Sequence, residues 1–139
     1  MANGRRVNQP VFPEIAQRIN AVSSFAAFSA DDIVEFSEKI GRKLAKDVRL
    51  KTNQIRKFFD TLKSIQAKTT PDNFKRESVI LLKPKLAYAA GRQRQQVGPL
   101  MEVVSPAISK VTNYDDFVRF VQFVESIVAY HKYEGGSDY

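Results

Sequence analysis

Apolar residues along this chain recur at spacings of three and four, and no strand-length stretch alternates apolar with polar residues. That period gathers one buried stripe on an α-helix. Ile15, Ile19 and Val22 predict a short helix from about Pro13 to Val22. Ile33, Phe36, Ile40 and Leu44 predict a second, opened by Ser29 with Asp32 three residues on as a capping pair. Gly41 interrupts that stripe at a cost of ~1 kcal/mol relative to alanine, unless a close helix contact requires it. Ile55, Phe58, Phe59, Leu62 and Ile65 predict a third helix, beginning near Thr52 as its N-cap. Residues 69–73 read as a loop leading into a helix start. Residues 74–94 carry Phe74, Val79, Ile80, Leu81, Leu82, Leu86, Ala87 and Ala90 with Pro84 inside the pattern, so a kink or two consecutive helices is expected. Gly98-Pro99 reads as a break, followed by a helix to about Val111 that is disturbed at Pro106. Asn113, with Asp116 three residues on, opens a last helix built on Phe117, Phe120, Val121, Val124, Ile127 and Val128 and ended by Gly135-Gly136. The expectation is an all-α bundle of about five helices, one kinked or split near Pro84. Residues 1–12 are expected as a flexible arm, 13–136 as a single helical-bundle domain and 137–139 as a disordered tail.

The 139 residues, 43% of them hydrophobic, suffice for one domain with a real core. Cysteine is absent, so disulfides, a thiol nucleophile and Cys-ligated metal or iron–sulfur sites are excluded. A single histidine, His131, excludes multi-His metal sites. The longest uncharged run, Ile19 to Ala30, is 12 residues and rich in Ser and Ala, well short of the ~20 apolar residues a bilayer span needs. No signal peptide is visible, and a soluble cytoplasmic protein is expected.

Charge sharpens the picture. Lys and Arg number 22 against 15 Asp and Glu, a net charge of +7. Residues 39–57 hold eight basic groups (Lys39, Arg42, Lys43, Lys46, Arg49, Lys51, Arg56, Lys57) and one acid, Asp47. Residues 75–94 hold six (Lys75, Arg76, Lys83, Lys85, Arg92, Arg94) and one acid, Glu77, whereas residues 113–139 are net acidic. Lys39, Arg42, Lys43 and Lys46 share a helix face beside the Ile33–Leu44 stripe, so one helix can pack and still present charge outward. Such arrays suit phosphate backbones, where each neutralised phosphate releases counterion and binding becomes strong, salt-sensitive and indifferent to sequence. A merely solvated basic surface is the plain alternative. Membrane binding is disfavoured, because neither basic segment pairs with Trp or a large exposed apolar face.

No catalytic constellation is found. His131 has no nucleophile elbow in the sequence, and its place in the apolar last helix suits a buried structural histidine. No Gly-rich phosphate loop occurs. The pairs Asp31-Asp32 and Asp115-Asp116 stand at helix starts, where carboxylates favour the positive end of the dipole; a two-metal nuclease site would need more of them converging. Tyr88 with Arg92 four residues on can place a ring and a guanidinium together against an exposed base, or bury the ring at a helix interface. No catalytic residue, metal site, cofactor or small-molecule substrate is expected.

Three stretches carry a resemblance: Thr52-Asn53-Gln54-Ile55-Arg56-Lys57-Phe58-Phe59, the run LLKPKLAYAAGR from Leu81 to Arg92, and FVQFVESIVAYHKYEGG from Phe120 to Gly136. In this order they resemble the small subunit of the type III-A CRISPR effector, the Csm complex, over about residues 45–136. The resemblance implies an all-α, non-catalytic antiviral defence protein. Copies of it would stack as the minor filament beside other Csm subunits and contact the backbone of the guide RNA–target RNA duplex. By matching position it implies RNA contacts at Arg56, Lys57, Lys83, Lys85 and Arg92. Charge clustering adds Lys46, Arg49, Lys51 and Arg94. Tyr88, Gly91, Glu125 and Tyr130 read as structural. A mainly structural filament subunit with little RNA affinity of its own is the alternative, and a small nuclease a more distant one.

Overall fold

The structure, a computed structural model, describes residues 10–137, and every regular element in them is helical. The helices are α1 (Val11–Ala21), α2 (Ala30–Lys43), α3 (Thr52–Lys68), α4 (Arg76–Ile80), α5 (Leu82–Arg92), α6 (Arg94–Ser109) and α7 (Tyr114–Tyr133). Most of the arm expected at residues 1–12, and residues 138 and 139 of the expected tail, lie outside the described residues. Val11 and Phe12, placed in that arm by the sequence, belong to α1. Ser137 is held as well: its carbonyl accepts from the Thr52 N–H at 3.0 Å.

α2 and α7 form the central pair, with the most extensive contact in the molecule. Ile33, Phe36, Ile40 and Leu44 of the α2 stripe are all buried, and the start signal works as the sequence implied. Asp32 N–H donates to Ser29 Oγ at 3.1 Å and Ser29 N–H to Asp32 Oδ2 at 3.0 Å. α7 meets this face with Phe117, Phe120, Phe123, Val124 and Ile127, also buried. Its end is a Schellman motif: Gly136 N–H donates to His131 O at 2.8 Å, Gly135 N–H to Lys132 O at 3.1 Å, and Gly135 takes φ +99°. α2 continues through a wide π-type turn, Leu44–Val48, and is stopped by Arg49 at φ 61°. Leu50 then enters the core, and its carbonyl meets Nε2 of His131. His131 is thus a buried structural histidine.

α6 packs between α1 and α5 and departs from expectation. It is unbroken at Gly98-Pro99 and passes through Pro106 as well. Its buried residues Val97, Leu100, Val103, Val104, Ala107 and Ile108 run its whole length, and this packing offsets two missing N–H donors. The carbonyls that lose those donors belong to Gln95 and Glu102, both exposed residues. The chain breaks instead at Leu81, and Pro84 falls in the first turn of α5, where its missing N–H costs no helical bond. The cap of α3 also differs: Lys51, not Thr52, is the N-cap, with its N–H bonded to Gln54 Oε1 at 2.8 Å.

A short 3-10 turn at Phe25–Ala27, not foreseen in the sequence, closes one end of the central pair. Phe25 is buried against Phe28, Phe120 and Phe123. Asp116 fixes this turn: its carboxylate accepts from Ser24 Oγ, from Ala26 N–H at 2.8 Å, and from Thr112 N–H at 3.0 Å and Oγ1 at 2.9 Å. Burial alone pushes this carboxyl up, but the donors from Ser24, Thr112 and Ala26 outweigh it and hold it below the ordinary aspartate value. A lowered folded pKa means the stabilisation is complete above the unfolded value of ~4 and is lost as pH falls through the folded one. Chemical denaturation followed by circular dichroism is therefore expected to show stability declining below about pH 4. Asp116→Asn is expected to cost about 3 kcal/mol at neutral pH, because an amide cannot accept from every donor left facing it. The same variant should flatten the acid limb of the stability profile.

Candidate nucleic-acid interface

Two helical stripes face each other across a groove. On α3, Gln54, Lys57, Phe58 and Thr61 follow the spacing of one face; on α5, Lys85, Tyr88, Ala89 and Arg92 do the same. Together they line a groove of about 570 Å³, and among the described residues no carboxylate lines it. Phe58 closes its floor from the core side, while Lys57, Lys85 and Arg92 are exposed. Gln54 Nε2 donates to Gln93 Oε1 at 3.0 Å and ties the two walls together at one end.

A second hollow, of about 440 Å³, is lined by Ala45, Lys46, Arg49, Leu50, Lys51, Gly135 and Ser137. It adjoins the groove, since Lys51 of the hollow and Gln54 of the groove are the bonded pair at the α3 N-terminus. The nine cations singled out in the sequence therefore divide three ways. Lys57, Lys85 and Arg92 meet in the groove, and Lys46, Arg49 and Lys51 in the hollow. Arg56, Lys83 and Arg94 line neither. Arg56 is exposed beside Lys57 but turned about 100° around α3. Lys83 turns toward α6, where its Nζ donates to Ser109 Oγ.

Intramolecular carboxylates engage much of the basic face read on α2. Lys39 pairs with Glu35 at 3.2 Å, Lys43 with Asp47 at 2.8 Å, and Arg42 with Glu38 at 3.7 Å and Glu134 at 3.3 Å. Glu134 also reaches Lys46 at 3.7 Å. By contrast, Arg49, Lys51, Arg56, Lys57, Lys85, Arg92 and Arg94 have no ion-pair partner among the described residues. The pairs with Glu35, Glu38 and Asp47 are solvent-exposed and individually weak, whereas Glu134 is only 11% exposed; together they remove the α2 face from any simple count of available charge.

Two residues read as structural are exposed rather than packed into the core. Tyr88 is 69% exposed, with the Arg92 guanidinium 5.9 Å from its ring centroid, and a Cβ on Gly91 would meet nothing within 4 Å. Glu125 does hold a structural contact, to Lys63, and Tyr130 lies against Gly41. Gln54 and Gln93 were missed, since neutral amides carry no signal in a charge map. Among the described residues no three His, Asp or Glu side chains converge as metal ligands. No helix among them is long and apolar enough to cross a membrane.

This architecture defines an all-helical chain in which Lys57, Lys85 and Arg92 line one groove and Arg49 and Lys51 its neighbouring hollow, none of the five with an ion-pair partner among the described residues. The Csm2 type III-A family matches residues 27–137, most of the chain. The chain belongs to that family, the small subunit of the type III-A Csm complex. A curated relative from Streptococcus thermophilus, described as "CRISPR system Cms protein Csm2", is 28% identical over 121 residues, covering 81% of this chain and 99% of the relative. No solved structure matches.

Proposed function

We propose that this Csm subunit binds the sugar–phosphate backbone of the guide–target RNA duplex without reading sequence, as a non-catalytic member of the minor filament. The observation that carries the reading is the gathering of Lys57, Lys85 and Arg92 in a groove free of lining carboxylates, adjoining a hollow that holds Arg49 and Lys51. Several such cations in register release counterions together, which gives affinity without base contacts. Val34, Leu81 and Tyr133 are exposed apolar groups that suit contacts with neighbouring copies and other Csm subunits, and stacked copies multiply a weak single-site affinity. The proposal is tested by fluorescence titration of the full chain with a labelled guide–target duplex at low salt. Replacing Arg56, Lys57 and Arg92 together with Glu is expected to weaken binding at least tenfold while the circular dichroism spectrum is unchanged. Unchanged affinity would favour a filament subunit whose contacts are to protein.

A further inference from the structure

We infer that the groove between α3 and α5 receives one unpaired RNA nucleotide, its base stacked on Tyr88; the inference rests on the RNA-binding reading above. A duplex hides the faces of its bases, so a groove that met only backbone would have no use for an exposed ring. Tyr88 stands open at the groove rim, and Arg92 lies over its ring, so a base can stack on the tyrosine while the guanidinium reaches phosphate. Lys57 and Lys85 supply further cations on the two opposite walls.

The amide pair at the end of the groove adds a polar edge. Gln54 Oε1 accepts from the Lys51 N–H, which fixes that side chain with its Nε2 as donor. Gln93 Oε1 must then be the acceptor of that donor, so Gln93 Nε2 is the free end. No partner for Gln93 Nε2 is present among the described residues. The groove therefore offers a ring, cations and N–H donors, which match a base with carbonyl or ring-nitrogen acceptors on its edge and a phosphate attached. Its volume of about 570 Å³ lies in the range of small-ligand sites.

The test uses the full chain at low salt, a 12-nucleotide RNA carrying one central 2-aminopurine, and the same strand annealed to its complement. On the single strand, 2-aminopurine fluorescence is expected to change on binding. Tyr88→Leu should abolish that change and lower single-strand affinity by about 5- to 150-fold, with Tyr88→Phe retaining both. Duplex affinity should not move in either variant. If Tyr88→Leu lowers both affinities equally or neither, the nucleotide site is refuted while backbone binding stands. If Tyr88→Leu leaves RNA binding intact but blocks association with other Csm subunits, the ring belongs to a protein contact and the inference is overturned. If the unaltered chain binds neither RNA, the RNA-binding reading itself fails.

Discussion

Gly41→Ala is expected to destabilise the fold by about 3 kcal/mol, a fall in Tm on the order of 10 °C for a chain of this length. A methyl group there would lie 2.6 Å from Tyr130 Cβ and 2.7 Å from the His131 backbone nitrogen. Neither neighbour is the free end of a flexible side chain. Both belong to the α7 segment against which α2 makes its main contact, so the two helices must separate along their shared core. The usual helical gain of alanine over glycine, ~1 kcal/mol, is overwhelmed. Gly91 and Gly98 provide the control, since both lie in helices and a methyl at either meets nothing within 4 Å. Gly91→Ala and Gly98→Ala are expected to stabilise by about 0.5–1 kcal/mol. Thermal melts of the three variants check this. A Gly41→Ala protein as stable as the other two would mean that α2 and α7 do not approach so closely.

The second large effect concerns charge. Replacing Lys57, Lys85 and Arg92 with Glu is expected to lower RNA affinity by about 100-fold at low salt. Replacing Lys39, Arg42 and Lys43 is expected to have much less effect, although it removes the same formal charge. The difference arises because carboxylates hold the second set, from Glu35, Glu38, Asp47 and Glu134. Equal losses from both sets would mean that net charge alone, not the groove, governs binding.

The helices were legible because periodicity is local. The stripe from Ile33 to Leu44 and the caps at Ser29 and Asn113 need only neighbours three or four residues away. α6 was misread because local proline chemistry at Pro99 is overruled by packing against α1 and α5, which a local reading cannot weigh. The site was half legible for the same reason. Lys57 and Arg92 stood out as charge, but their meeting depends on α3 lying beside α5. The pairing of Arg42 with Glu134 spans 92 residues of chain and leaves no trace in local charge counts. The link from Asp116 to Ser24 spans the same separation, so Asp116 read as a helix-dipole partner when it also anchors a distant turn.

The salt dependence of binding is the most direct measurement. For the full chain and a guide–target RNA duplex, log affinity plotted against log salt should fall along a straight line whose slope reports the phosphates neutralised. The account predicts a steep line that becomes shallower by roughly two to three units when Lys57, Lys85 and Arg92 become Glu. A flat line for the unaltered chain, or parallel lines for the two proteins, would contradict it.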